Sequence, residues 1–165
     1  MSASTDGAAP FFVDREVIVI TRAGVWLADG VEITHEPTRK LFARSLRRDA
    51  EGYFLSIGRE TKRIEVQDTA FFVLRIDGDA ETGFEVLLSN DERVRLDPAT
   101  LQYRPGRLTM RWIPKGYSGL EEALFLHAPY FDLLKDLQED GAAYFLRIEG
   151  KRWELAPRTM TKGSS

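Results

Sequence analysis

Five basic side chains fall within twenty residues of one another: Arg44, Arg47, Arg48, Lys62 and Arg63. Arginine presents a planar fork of N–H donors suited to two-pronged recognition of phosphate, and lysine adds a point charge. If the chain folds back on itself between residues 48 and 62, these groups converge on an anion. They are the first candidates for a ligand site. Adjacent positions on a helix point about 100° apart, so Arg47 and Arg48 need not face the same way there. The competing reading is a solvated face balanced by Glu51, Glu60 and Glu65. Asp68 follows the basic run. It is suited either to orienting a cation or accepting from a ribose hydroxyl, or to closing an Asx turn.

The only two histidines, His35 and His127, each stand two residues before a proline. Both are expected at helix starts, where the dipole disfavours imidazolium and a neutral ring can cap a backbone N–H. Facing each other across a pseudo-twofold they would form an acid–base or metal pair. Two histidines without fixed local spacing make a weak metal signature, and incidental capping is the simpler account. No metal, cofactor or catalytic residue is therefore assigned. Phosphate-binding loops, nucleophile elbows and paired zinc-binding histidines are absent from the sequence, and an enzyme is not the favoured reading. The strand aromatics Tyr53, Phe54, Tyr144 and Phe145 could stack on a base, but alternating aromatics in strands ordinarily form core.

The elements that must position these groups occur twice. One run passes from His35-Glu36-Pro37 through Leu41-Phe42 and Tyr53–Ile57 to Lys62–Val66. A second passes from His127-Ala128-Pro129 through Leu133-Leu134 and Tyr144–Ile148 to Lys151–Leu155. Read this way the chain is α+β. Two internally duplicated halves each hold curved antiparallel strands and one main helix followed by a β-hairpin. The halves are expected at 15–67 and 68–156, flanked by a disordered leader (1–14) and tail (157–165). The first helix is expected to run from near Pro37 through Arg48, ending between Asp49 and Gly52. The second is marked by Tyr130, Leu133, Leu134 and Leu137 at helical spacing. Asp29-Gly30 and Glu149-Gly150 predict two-residue hairpin turns. Strands over 70–76, 84–88, 93–96, 101–104 and 108–113 suggest an antiparallel meander, and Glu121-Glu122 reads as a solvated helix start.

The run Leu41–Asp49, then Gly52–Leu55, then Lys62–Phe71, together with Tyr130-Phe131-Asp132-Leu133, resembles a bacterial domain-of-unknown-function family, number 1285. The resemblance spans roughly residues 24 to 155. It implies a duplicated α+β core whose C-terminal half is similar to pleckstrin-homology domains. It also implies a groove between the halves that holds a nucleotide-like ligand in signalling.

Composition bounds the partners. In 165 residues the net charge is −3 and the pI near 5.5, so broad binding to a nucleic-acid backbone is not expected. No apolar run approaches the roughly 20 residues that span a bilayer. The chain has no cysteine, which fits a reducing cytoplasm. The expectation is a cytoplasmic, non-enzymatic protein that binds a small anionic, nucleotide-like ligand between its halves in a signalling or regulatory role. Arg44, Arg47, Arg48, Lys62, Arg63, Asp68, His35 and His127 are the candidate contacts. The alternative is a protein-interaction adapter with no small ligand.

Overall fold

The computed structural model describes residues 11–13 and 15–155, so the expected tail and nearly all of the expected leader lie outside the described residues. The fold is α+β, with two helices and many strands. It parts into two compact units between Asp68 and Thr69.

In the first unit β1 (Ile18–Ile20) pairs antiparallel with β2 (Trp26–Ala28), and β2 with β3 (Val31–Glu32). The β2–β3 turn places Asp29 at φ 50° and Gly30 at φ 81°, the primed geometry expected of Asp-Gly. Helix α1 (Glu36–Arg44) comes next. Pro37 sits in its first turn, where a missing N–H loses no bond, and Glu36 and Arg44 match the dipole at either end. It turns Phe42 and Ala43 inward, and the Phe42 ring lies 5.6 Å from Trp26 and 6.1 Å from Phe12.

The helix does not reach Arg48. It stops at Arg44, where the Ser45 N–H donates to the carbonyls of Leu41 and Phe42, and Leu46–Asp49 becomes strand β4. A chain reversal at Asp49 is the cause. Asp49 Oδ1 accepts from the Glu51 N–H, an Asx turn that sends the chain back into β5 (Gly52–Ile57), and β4 pairs antiparallel with it. Leu46 and Leu55, directly opposite, are both fully buried. The strand expected over 62–66 is also divided. Glu60–Arg63 is β6, paired with β5, whereas Glu65–Val66 is β7, which lies parallel to β1.

The second unit is built on a six-stranded sheet. Its strands are β8 (Phe71–Asp79), β9 (Gly83–Leu88), β10 (Arg93–Arg95), β11 (Gln102–Arg104), β12 (Arg107–Trp112) and β13 (Glu121–Phe125), in the order β10-β9-β8-β13-β12-β11. It is not a simple meander, because β13 lies between β8 and β12 and runs parallel to β8. Glu121-Glu122 therefore opens a strand, not a helix. Glu121, Ala123 and Phe125 alternate inward and are buried, the period of a strand. Helix α2 (His127–Leu134) comes next, then a three-stranded sheet of β14 (Gln138–Asp140), β15 (Ala143–Ile148) and β16 (Lys151–Glu154). Glu149 and Gly150, at φ 54° and 80°, make the expected primed turn between β15 and β16.

Each unit thus contains a helix followed by a three-stranded antiparallel meander, and the strand registers superpose with a constant shift of 91 residues. Phe54 opposes Arg63 as Phe145 opposes Glu154, and Tyr53 opposes Arg48 as Tyr144 opposes Glu139. The likeness stops at this element, since one unit adds a four-stranded sheet and the other a six-stranded one. The shift also separates the histidines. His35 is the residue before α1, and its counterpart before α2 is Leu126; His127 is the first residue of α2 and matches Glu36. No described helix is long and apolar enough to cross a membrane.

Tyr103 of β11 ties the second unit together. Its ring lies 4.9 Å from Tyr144 and 6.5 Å from Tyr130, with which it also shares a hydrogen bond. Burial first, then that bond, pushes its phenol up to about 12. A phenol raised in the folded state contributes stability that is whole below its ordinary value of 10.0 and is lost as pH rises to about 12. Absorbance titration at 295 nm should show one late phenol, and Tyr103→Phe should remove that step. Backbone crowding gives a second expectation. Gly78 sits at φ 107°, and a Cβ there would overlap the carbonyl of Gly83. Gly78→Ala should lower the urea midpoint by the equivalent of ~1–3 kcal/mol, whereas Gly119→Ala, with open space around it, should leave the midpoint nearly unchanged.

Candidate functional site

Strand geometry distributes the basic residues instead of gathering them. Successive side chains of a strand point to opposite faces. Arg47, Phe54 and Arg63 therefore share one face of the β4–β5–β6 sheet, while Arg48, Tyr53 and Lys62 share the other. Arg44 stands apart on the last turn of α1. The basic groups are therefore divided between the two faces of the sheet, with Arg47 and Arg48 on a strand and not on the expected helix.

Each basic group also has local partners. Arg47 Nη1 donates to the carbonyls of Leu46 at 2.8 Å and Arg44 at 3.2 Å, covering the carbonyl end of α1. Arg48 lies over the Tyr53 ring, 5.0 Å from its centre, and donates to its hydroxyl. Lys62 Nζ donates to the Val13 carbonyl at 2.9 Å. Arg63 forks onto the Asp49 carboxylate, with one bond at 2.8 Å, reaches Glu51 at 3.5 Å and lies 5.1 Å over Phe54. The side-chain bonds to Arg63 hold the Asp49 carboxyl below the ordinary 3.8, and Asp49 in turn raises Arg63.

The two histidines stand in different units. The His35 ring makes no backbone cap; its Nδ1 is 2.7 Å from the Thr38 hydroxyl. His127 lies in the other unit, edge-on to the Phe131 ring at 4.8 Å. Both are exposed, and among the described residues no group of three or more histidines and carboxylates could hold a metal. Asp68 is half-buried and is the last residue of the first unit.

Two of the candidates do border one cleft. A groove of about 580 Å³ in the first unit runs along residues 60–65, with Lys62 and Arg63 among its walls. Phe12, Val17, Ile18 and Ile64 supply its apolar surface, and Glu16, Glu60 and Glu65 its carboxylates. Glu60 is committed. It accepts from the N–H groups of Phe11 at 2.7 Å and Phe12 at 3.0 Å, and these bonds lower its pKa. Strand β6 is an edge. The Ile64 N–H donates inward to Tyr53, so Lys62 shares that inward phase while Thr61 and Arg63 turn their N–H and C=O outward. Among the described residues no strand pairs with that outward edge.

A second hollow, of about 240 Å³, lies in the second unit and is lined by none of the candidate residues. Ile76, Phe84, Leu133, Leu146 and Ile148 form its apolar surface, and Asp132, Lys135, Asp136 and Arg147 stand around it. Its only sequence signal is the one-turn spacing of Asp132 and Asp136, which reads equally as a solvated helix face.

No family model matches the chain, and no curated protein does. Two solved structures share its fold. A DUF1285 family protein from Silicibacter pomeroyi DSS-3 is 16% identical, with a TM-score of 0.63 over 88% of this chain and 82% of that one. A DUF1285 family protein from Shewanella baltica OS155 is 17% identical, with a TM-score of 0.56 over 76% of this chain and 96% of that one. The resemblance read from Leu41–Asp49 and Lys62–Phe71 is thus matched by a likeness of fold.

The Asp49–Arg63 fork has a measurable consequence. Asp49 should titrate below 3.8 by carboxyl NMR, and Arg63→Gln should return its midpoint toward that value. The sign follows from the depressed pKa: the contribution is present above 3.8 and disappears as pH falls through the folded-state midpoint.

Proposed function

We propose that the chain is a protein-interaction adapter whose first unit takes an extended segment of a partner along the outer edge of β6. The observation that carries this reading is the outward-facing backbone of Thr61 and Arg63 beside a groove with apolar patches and charged walls. Unpaired strand edges recruit extended peptides through main-chain hydrogen bonds, and alternate side-chain pockets then supply selectivity. Lys62 and Arg63 beside Glu16 and Glu65 suit a segment carrying both signs of charge.

One observation supports a second reading. Lys62 and Arg63 line the same groove, as an anionic, nucleotide-like ligand in a regulatory role would need.

The two readings separate by experiment. Thr61→Pro removes an outward N–H without removing an inward ladder bond. A peptide selected from an extended-peptide library should bind the wild-type chain. It should weaken at least tenfold both with Thr61→Pro and when its alternate amides are N-methylated. Equal binding by the N-methylated peptide would sink the edge-pairing reading. Heat from a nucleotide panel that vanishes in Lys62→Ala/Arg63→Ala but survives Thr61→Pro would put the small anionic ligand in its place.

A further inference from the structure

Residues 11–13 lie against the first unit without belonging to any of its strands. Among the described residues, their one backbone–backbone bond is local, from the Glu16 N–H to the Val13 carbonyl at 3.0 Å. Side chains of β6 hold the segment in place. Glu60 accepts from the consecutive N–H groups of Phe11 and Phe12, one at each carboxylate oxygen. Lys62 then donates to the Val13 carbonyl. Glu60 and Lys62 alternate along β6 and so share one face of the strand. None of these bonds uses the outward backbone of Thr61 or Arg63.

Aromatic packing completes the contact. Phe12 is only 7% exposed, although it stands near the start of the described chain. Its ring and that of Phe11 each lie 6.1 Å from Phe42, which lies 5.6 Å from Trp26. Lifting the segment away therefore uncovers aromatic surface on α1 and β2, and leaves Glu60 without its two donors. A carboxylate that takes two successive N–H groups, with a lysine on the carbonyl that follows, reads a peptide backbone. The same carboxylate repels a phosphate. The chemistry of the contact thus selects a peptide with aromatic side chains.

We propose that this surface is a docking site for an extended partner segment with two adjacent aromatic residues, and that residues 11–13 fill it as a tethered competitor. The partner's aromatic pair takes the places of Phe11 and Phe12 beside Phe42, and its backbone takes over the bonds to Glu60 and Lys62. The chain's own segment is favoured by its tether, which supplies an effective concentration on the order of millimolar. The site borders the groove along β6 but stands independently of edge pairing, since it uses side chains where edge pairing uses the backbone of Thr61 and Arg63.

The probe is a synthetic peptide of residues 9–16, Ala-Pro-Phe-Phe-Val-Asp-Arg-Glu, titrated into the full chain by amide NMR and calorimetry. In Phe12→Ala the tethered segment loses its anchor. The peptide should bind that variant at least tenfold more tightly than wild type, perturbing the amides of Trp26, Phe42 and residues 60–62. N-methylating both phenylalanines of the peptide, or adding Glu60→Ala to the variant, should weaken binding at least fivefold. Adding Thr61→Pro should leave it within twofold. A second measurement needs no substitution: ~10 mM peptide should speed hydrogen exchange at the Phe11 and Phe12 amides of the wild-type chain at least threefold. Equal affinity for wild type and Phe12→Ala overturns the proposal, as does equal binding of the N-methylated peptide or unchanged exchange. A wild-type dimer that Phe12→Ala converts to a monomer also overturns it, because the segment is then exchanged between copies.

Discussion

The burial of Leu46 against Leu55 sets the phase of everything around it in the first unit. The two are directly opposite and sealed from solvent, so every residue of β4, β5 and β6 is assigned to a face by counting from them. A one-residue slip would bring Arg47 inward and Leu46 out, at the expense of two buried leucines and the insertion of a charge. Arg47 and Arg63 are thereby held beside Phe54, Arg48 beside Tyr53, and the outward backbone phase falls on Thr61 and Arg63.

The meander of the second unit solves the same problem with different residues. Asp49 and Asp140 occupy matching positions, and each pairs with an arginine that lies over the matching phenylalanine, Phe54 or Phe145. The arginine comes from a different place in each case. Arg63 stands opposite Phe54, whereas the matching position opposite Phe145 is Glu154, and Arg152, two residues earlier, reaches over the ring at 3.8 Å. What recurs is the physical arrangement, a cation held between a carboxylate and an aromatic face, and not the residue order. Cations used in this way explain why a run of basic residues in a sequence need not mark a ligand site.

The same fact bounds how much of the fold and the site is legible in the sequence. Hydrophobic alternation, Asp29-Gly30 and Glu149-Gly150 are local signals, and they place most strands and two hairpins. Misreadings arise where two periods fit the same residues. Leu41, Phe42 and Leu46 read as one helical stripe until the Asx turn at Asp49 requires a strand before it. The repeat is visible through its Tyr-Phe-Leu cores, but aligning Lys62-Arg63 with Lys151-Arg152 shifts the last strand by two, and aligning the histidines shifts the helix by one. Pairing of β13 with β8 joins residues 52 apart in sequence, and the hollow beside α2 gathers residues from 76 to 148. No local pattern encodes these.

The two hollows differ in what a ligand must supply. Along β6 the protein offers backbone donors and acceptors in a row, so any occupant that completes them must itself be an extended chain, and its side chains can vary. Beside α2 the carbonyls of Ala80 and Thr82 in the β8–β9 turn already accept from the Glu149 N–H and from Arg95, and the hollow presents an apolar floor of Ile76, Phe84, Leu133, Leu146 and Ile148. The outer edge of β6 is thus open in its backbone, whereas the hollow beside α2 is bounded by side chains, each within a single unit.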